Sequence, residues 1–241
     1  MAPEFVSWLG VPANDHWLDV GCGTGAMTSA ICDHGAPASV VGCDPADPFI
    51  QYARQHSSDP RASFVVAGVG SLPSGDTGYG SATSLFVLNF FPDPLVATQE
   101  MRRLTRSGGI VSACVWDYRS GMEFLRVFWD AVVAADPSSS HLDEGERFPV
   151  CAPEKLVQVF AGAGLQEVEC EDIEIRTKFD SFEDYWRPFL GRTGPAPAYV
   201  DSLEDHQQDA LAGILRKKLH THASGAINLT ARAWVVKGAV A

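Results

Sequence analysis

The sequence predicts an α/β fold, a doubly wound and mostly parallel seven-stranded sheet with an antiparallel edge pair and an inserted helical cap. Three observations carry this. Short apolar strands and amphipathic helices alternate five times before residue 118 at the spacing of βαβ units, which places a parallel sheet under helices on both faces. The stretch Trp17-Leu18-Asp19-Val20-Gly21-Cys22-Gly23-Thr24-Gly25 runs from apolar residues and an acid into three alternate glycines, with a helix-compatible run directly behind it. Beyond residue 119 the pattern becomes helices broken by two late strands. One domain is expected, with an α/β core over 1–118, largely cap helices and one late strand over 119–222, and a closing strand over 223–241.

The elements follow in order. Pro3 to Leu9 reads as a short helix with Phe5, Val6 and Leu9 on its apolar side. A first strand ends near Val20, and the helix after the glycines runs to about His34, where Gly35 and Pro37 stop it. Ser39 to Cys43 is a second strand ending in Asp44-Pro45, Pro48 to His56 a helix, and Ala62 to Ala67 a third strand. Gly68 to Gly80, rich in glycine and serine, reads as loop. Ser81 to Leu88 is a fourth strand, and Leu95 to Leu104 a helix with Val96, Met101 and Leu104 inward, ended by Ser107-Gly108-Gly109. Ile110 to Trp116 is the fifth strand. In the second half, Met122 to Ala135 and Pro153 to Ala163 read as helices around a polar loop, Asp136 to Arg147. Glu167 to Phe179 alternates apolar and polar residues with a change of parity near Glu171-Asp172, the mark of a bulge. Phe182 to Leu190 is a helix, Gly191 to Ala198 a loop, Val200 to Leu219 a long helix and Ile227 to Val236 the last strand.

Composition limits the function. The chain has 241 residues and an apolar content of 46%, enough for a substantial core. Eighteen lysines and arginines against 30 acids leave a net charge of −12, which disfavours binding to nucleic-acid phosphates. No apolar run is long enough to span a bilayer, and no secretory signal pattern opens the chain. The six cysteines show no metal-type spacing and read as buried free thiols in a reducing cytoplasm. His220 and His222 form a pair that no carboxylate or cysteine nearby completes, so no metal site is expected. The partner class is a small molecule, and a homodimer is left open.

Chemistry concentrates at the glycine stretch. Glycines let the backbone approach a ligand closely, and the N–H groups of the new helix point toward it. Asp19 at the strand end can hold a cationic amine. Asp44, nineteen residues past Gly25 at the end of the next strand, can accept both hydroxyls of a ribose. A nicotinamide cofactor fits less well, because Asp19 would face a pyrophosphate with a like charge.

The combination resembles the class I S-adenosylmethionine-dependent methyltransferases with a Rossmann-like sheet, in their small-molecule branch with ubiquinone/menaquinone-type motifs. The resemblance rests on Leu18 to Gly25, Asp44, Leu88-Asn89-Phe90-Phe91-Pro92-Asp93-Pro94 and Met101 to Gly109, and covers about Phe5 to Tyr118. It implies S-adenosyl-L-methionine as cofactor, with S-adenosyl-L-homocysteine as product. It places Asp19 and Gly21 near the methionine part of the cofactor, has Gly23 and Gly25 shape the loop and Asp44 hold the ribose, and turns the Val69 N–H beside Gly68 toward the adenine, with Cys22, Pro45 and Leu85 as further cofactor-binding residues. Two usual acids are missing, since Gly68 stands after the third strand and Gly80 at the start of the fourth. The stretch ahead of the first strand is also shorter than the arm relatives carry, so another segment closes the site or the site is more open. These departures keep an alternative alive, a protein of the same fold that does not transfer methyl, such as a cyclase, another non-methylating enzyme or a binding subunit.

For the acceptor, Asn89 and Asp117 at strand ends are the catalytic candidates, with Asp117 as base or anchor. Trp116, Tyr118, Tyr185 and Trp186 are the substrate candidates, and the aromatic-rich cap suits an apolar or aromatic small molecule.

Overall fold

The structure is a computed structural model that describes residues 1–75, 77–191, 194–219 and 225–241. The His220–His222 pair lies outside the described residues. In chain order the elements are α1 (Ala2–Leu9), β1 (His16–Val20), α2 (Ala26–His34), β2 (Ser39–Asp44), α3 (Asp47–His56), β3 (Ala62–Val66), β4 (Tyr79–Leu85), α4 (Pro94–Leu104) and β5 (Thr105–Trp116). There follow α5 (Glu123–Ala135), α6 (Glu144–Arg147), α7 (Pro153–Gly162), β6 (Gln166–Phe179), α8 (Phe182–Trp186), α9 (Pro195–Asp201), α10 (Asp205–Lys218) and β7 (Ile227–Ala239).

The seven strands form one sheet in the order β3-β2-β1-β4-β5-β7-β6. The pairs β1–β2, β1–β4, β2–β3 and β4–β5 are parallel. Register brings their carboxyl ends level: Val20 lies opposite Cys43, Asp44 opposite Val66, and Leu85 opposite Cys114. Gly108 N–H donates to Val240 and Val240 N–H donates back to Gly109, so two residues of β5 face one residue just past the end of β7. With Gly108 at φ 74°, this is an antiparallel bulge of the kind that needs glycine first. The Ser107-Gly108-Gly109 stretch therefore lies inside β5, where the sequence suggested a helix stop. A β-carbon on Gly109 would sit 2.6 Å from Thr105 Cγ2 and 2.8 Å from the Gly80 carbonyl, so no side chain fits there.

The chain forms two compact units. The first comprises Met1–Val115, Ala152–Ile173 and Trp234–Ala241, the second Trp116–Cys151 and Glu174–Ala233. In the first, near-continuous apolar strands bury Trp17, Leu18, Val40, Ala82 and Val111 completely. Phe64 of β3 packs with Ile50 and Ala53 of α3 and with Cys22. In the second, Phe124 and Phe128 of α5 stack on Phe189 with centroids 4.5 and 4.4 Å apart, and Trp129 donates its indole N–H to the buried Glu144.

Several elements differ from expectation for local reasons. Val96 is exposed, while Ala97, Thr98, Met101 and Leu104 face inward. Asp93 caps α4 by accepting from the Leu95 and Val96 amides, which sets that phase, and Thr98 hides its hydroxyl on the Pro94 carbonyl. β4 starts earlier and ends at Leu85, because Phe86 turns the chain at φ 60° into a 3-10 turn over Leu88–Phe90. The polar segment 136–147 is ordered by its own acids: Asp136 caps a 3-10 turn, Pro137–Leu142, and Asp143 caps α6. The expected long helix is two, α9 and α10, and α9 takes in part of the expected loop. A reciprocal capping box between Glu204 and Gln207 starts α10. In β6 the half-buried positions are Val168 and Cys170, then Ile173, Ile175, Thr177 and Phe179, so the parity changes where the sequence placed it.

Candidate active site

At the carboxyl end of β1 the three glycines take φ of 76°, 53° and 92°, values a side chain resists. Gly21 and Cys22 both donate their N–H to the Cys43 carbonyl at 2.8 and 3.0 Å, which ties the turn to the end of β2. Gly21 also has no room for a side chain, since a β-carbon would lie 2.5 Å from Val87 Cγ1. At Gly23 nothing stands within 4 Å of such an atom, so this face of the turn is open.

Asp19 and Asp44 flank the turn. Asp44 is held at both oxygens, by the Gly23 N–H at 3.1 Å and the Ala46 N–H at 2.8 Å. Asp19 is fully buried, and its Oδ2 accepts from the Thr28 hydroxyl at 2.6 Å, while Oδ1 has no hydrogen-bond partner. Burial pushes the Asp19 carboxyl up to about 7, with the Thr28 bond opposing and the Asp44 charge adding to the rise. The Cys22 thiol is pushed far up and the Cys43 thiol up to about 12, both chiefly by burial, so neither is a nucleophile. A buried carboxylate oxygen without a partner is costly unless something meets it. A cationic amine is the group whose charge and hydrogens suit it.

The two glycines in place of usual acids have different physical causes. A β-carbon on Gly80 would fall 1.9–2.0 Å from the carboxylate of Asp15, which is buried and ion-paired to Arg106 at 2.7 Å. Gly80 is thus demanded by packing, at the amino-terminal end of β4. Gly68 meets only Pro45 Cβ, at 3.8 Å, so a side chain there would have space. Pro45 is exposed, and Gly68, Val69 and Leu85 are half-buried.

Asn89 is buried at 8% exposure in the turn after β4, with both amide atoms unpartnered. In the second unit, Asp117 does not suit the expected role of base. Its oxygens accept from Arg232 Nε at 3.0 Å, Arg232 Nη2 at 2.6 Å, and the Ser120 N–H and hydroxyl at 3.0 and 2.9 Å. Burial alone would raise its carboxyl, but the bonds from Arg232 and Ser120 outweigh burial and hold it below the usual range. Tyr185 is likewise a core residue: it is fully buried, and its hydroxyl donates to the Phe124 carbonyl at 3.0 Å. Trp116, Tyr118 and Trp186 are half-buried. Among the described residues no three His, Cys, Asp or Glu side chains gather as a metal site would require. All six thiols are free, and five are buried.

Sequence reasoning missed Thr28, which donates to Asp19, and Arg232, which pairs with Asp117. Thr28 had a signal, since it is a polar residue in the first turn of the helix behind the glycines, where a side chain can face back to the strand just left. Arg232 had none, because its pairing spans 115 residues.

Residues 18–113 match the family of the methyltransferase domain. The demethylmenaquinone methyltransferase of Roseiflexus castenholzii is 29% identical over 170 residues, 65% of this chain and 70% of that protein. The phosphoethanolamine N-methyltransferase 2 of Haemonchus contortus, solved with S-adenosyl-L-methionine, shares the fold at TM-score 0.61 and 13% identity, over 100% of this chain and 52% of that one. The [4+2]-cyclase SpnF shares it at TM-score 0.59 and 19% identity, over 98% of this chain and 80% of its own. With the sheet order and the glycine turn, the chain has the fold of these methyltransferase structures, and its residues 18–113 match the methyltransferase-domain family.

Proposed function

We propose that this protein transfers a methyl group from S-adenosyl-L-methionine to a small, apolar or aromatic molecule. The observation that carries the reading is the pair of carboxylates about the glycine turn. Asp19 offers an unpartnered oxygen to the amine of the cofactor, and Asp44 offers oxygens already aimed by two backbone N–H groups to its ribose. The glycine turn leaves an open face for the part of the ligand between them, and in this reading Gly68 and Val69 lie by the adenine, with Pro45 and Leu85 as further contacts. The cofactor supplies an electrophilic methyl on a sulfonium. The residues named hold and orient it, and this alignment is the chief contribution an enzyme makes to an in-line displacement. Trp116, Tyr118 and Trp186 are the acceptor contacts in this reading, and the free thiols suit work in the cytoplasm. Asp117 plays no part as a base. The demethylmenaquinone methyltransferase relative favours a quinone-like acceptor.

Calorimetry with S-adenosyl-L-homocysteine tests the cofactor directly, with saturable micromolar binding expected. No heat at millimolar ligand would remove the reading. A second reading is favoured by one observation: Gly68 has room for the missing adenine-side acid and does not carry one. In it the protein keeps the fold and the ligand without transferring methyl, since a fold does not set the chemistry. Binding of the cofactor with no methylated product across quinol, phenol and amine acceptors would select this second reading.

A further inference from the structure

We infer that Asn89 is a ligand-binding residue, its side-chain amide pairing with the α-amino-acid end of the adenosyl cofactor; this rests on the cofactor reading above. The amide has two N–H donors and a carbonyl acceptor, and neither Nδ2 nor Oδ1 has a hydrogen-bond partner although both are buried. Orphaned groups of this kind are rare in folded proteins because each forfeits its hydrogen bonds to water without a replacement. One that persists at the carboxyl end of a sheet strand points to a partner outside the chain.

Position says which partner. Asn89 lies in the 3-10 turn that follows β4, two residues past Val87. Val87 packs so closely on Gly21 that it excludes a β-carbon there. The turn is thereby pressed on the first glycine, the one adjoining Val20 and Asp19, at the amine end of the glycine stretch. Phe86 enters the turn at φ 60°, a conformation costly for a phenylalanine, so the chain bears strain to set this turn. Asp19 already provides charge for an ammonium. What an α-amino acid still lacks is a donor to its carboxylate and a neutral acceptor for a further ammonium hydrogen. An amide supplies both, and it adds no second negative charge beside the carboxylate.

The test compares two ligands that differ by the amino-acid head alone: S-adenosyl-L-homocysteine, which has it, and 5′-methylthioadenosine, which does not. In the Asn89→Leu variant the homocysteine ligand should bind tenfold to a hundredfold more weakly, the loss of a hydrogen bond to a charged group. Methylthioadenosine should bind as it does to the unaltered protein. The ligand-free variant should melt no lower than the unaltered protein, since an apolar group replaces an unpaired polar one. Equal weakening of both ligands, no weakening of either, or a melting temperature several degrees lower would each overturn the inference and mark Asn89 as structural. Asn89→Asp keeps the shape and replaces the donor by a negative charge. It should weaken the homocysteine ligand again and spare methylthioadenosine, and equal weakening of both would overturn the inference as well. If the unaltered protein binds neither ligand, the cofactor reading itself has failed. If it binds both and the variants bind alike, only the assignment of Asn89 has failed.

Discussion

Replacing Asp19 by Asn removes one ionisation from the interior of the first unit and keeps an oxygen for the Thr28 hydroxyl. In the unfolded chain this carboxyl ionises near 3.8, and burial in the folded protein pushes it up to about 7. Between those values the folded protein holds a proton that the unfolded chain has lost. Unfolding then releases a proton, and the contribution of Asp19 to stability falls as pH rises through the window. The gap corresponds to about 4 kcal/mol of destabilisation once the pH is above 7, and to none below 4. The asparagine variant does not titrate, so its stability relative to the unaltered protein should climb by about 4 kcal/mol between pH 4 and pH 8 and level off above. For a chain of this size, this is roughly 10 °C in melting temperature. Urea melts of both proteins at each pH unit give the difference directly. Taking it cancels carboxyls such as Asp117, held below the usual range, whose loss on acidification slopes the opposite way. Saturating S-adenosyl-L-homocysteine should shrink the difference at pH 8, because its amine pairs the anion. A difference that stays constant from pH 4 to pH 8 would refute the burial argument.

The two unusual glycines should respond in opposite ways. Gly80→Ala drives a methyl into the Asp15 carboxylate and should cost about 2–3 kcal/mol, seen as a lower melting temperature with or without ligand. Gly68→Asp should leave the melting temperature unchanged and tighten S-adenosyl-L-homocysteine severalfold by calorimetry, the worth of one added hydrogen bond of about 0.5–1.5 kcal/mol. Breaking the Asp117–Arg232 pair by Arg232→Met leaves a buried carboxylate with Ser120 alone among the partners named, and should cost about 3–5 kcal/mol in urea unfolding. A variant as stable as the unaltered protein would return Asp117 to consideration as a base.

Much of the first unit was legible because its signals are local. Strands that are apolar throughout, a glycine turn, and acids at strand ends are each set by a few consecutive residues. The parity change at Glu171-Asp172 was visible for the same reason. What escaped depended on distant partners. Asp117 reads as a base at a strand end until Arg232, far along the chain, joins Ser120 in holding it as an ion-paired carboxylate. Tyr185 reads as a pocket aromatic until Phe124 is seen to accept its hydroxyl. Gly80 reads as a lost acid, although the space is filled by Asp15 from another strand's approach. Helix limits failed where capping side chains outvoted apolar periodicity, as Glu204 and Gln207 do in dividing α9 from α10.

The double anchoring of Asp44 has a kinetic and an entropic side. A carboxylate free to rotate gives up rotamer freedom when a ligand seizes it, at a cost of about 0.5–1.5 kcal/mol. Here the Gly23 and Ala46 amides hold the carboxylate in one rotamer, so the ribose proposed to bind there would find it already fixed. The same two bonds make Asp44 a staple between the glycine turn and the strand beside it. Truncating it would loosen the turn as well as delete a contact, and an affinity lost on Asp44→Ala would overstate what the carboxylate gives to the ligand itself.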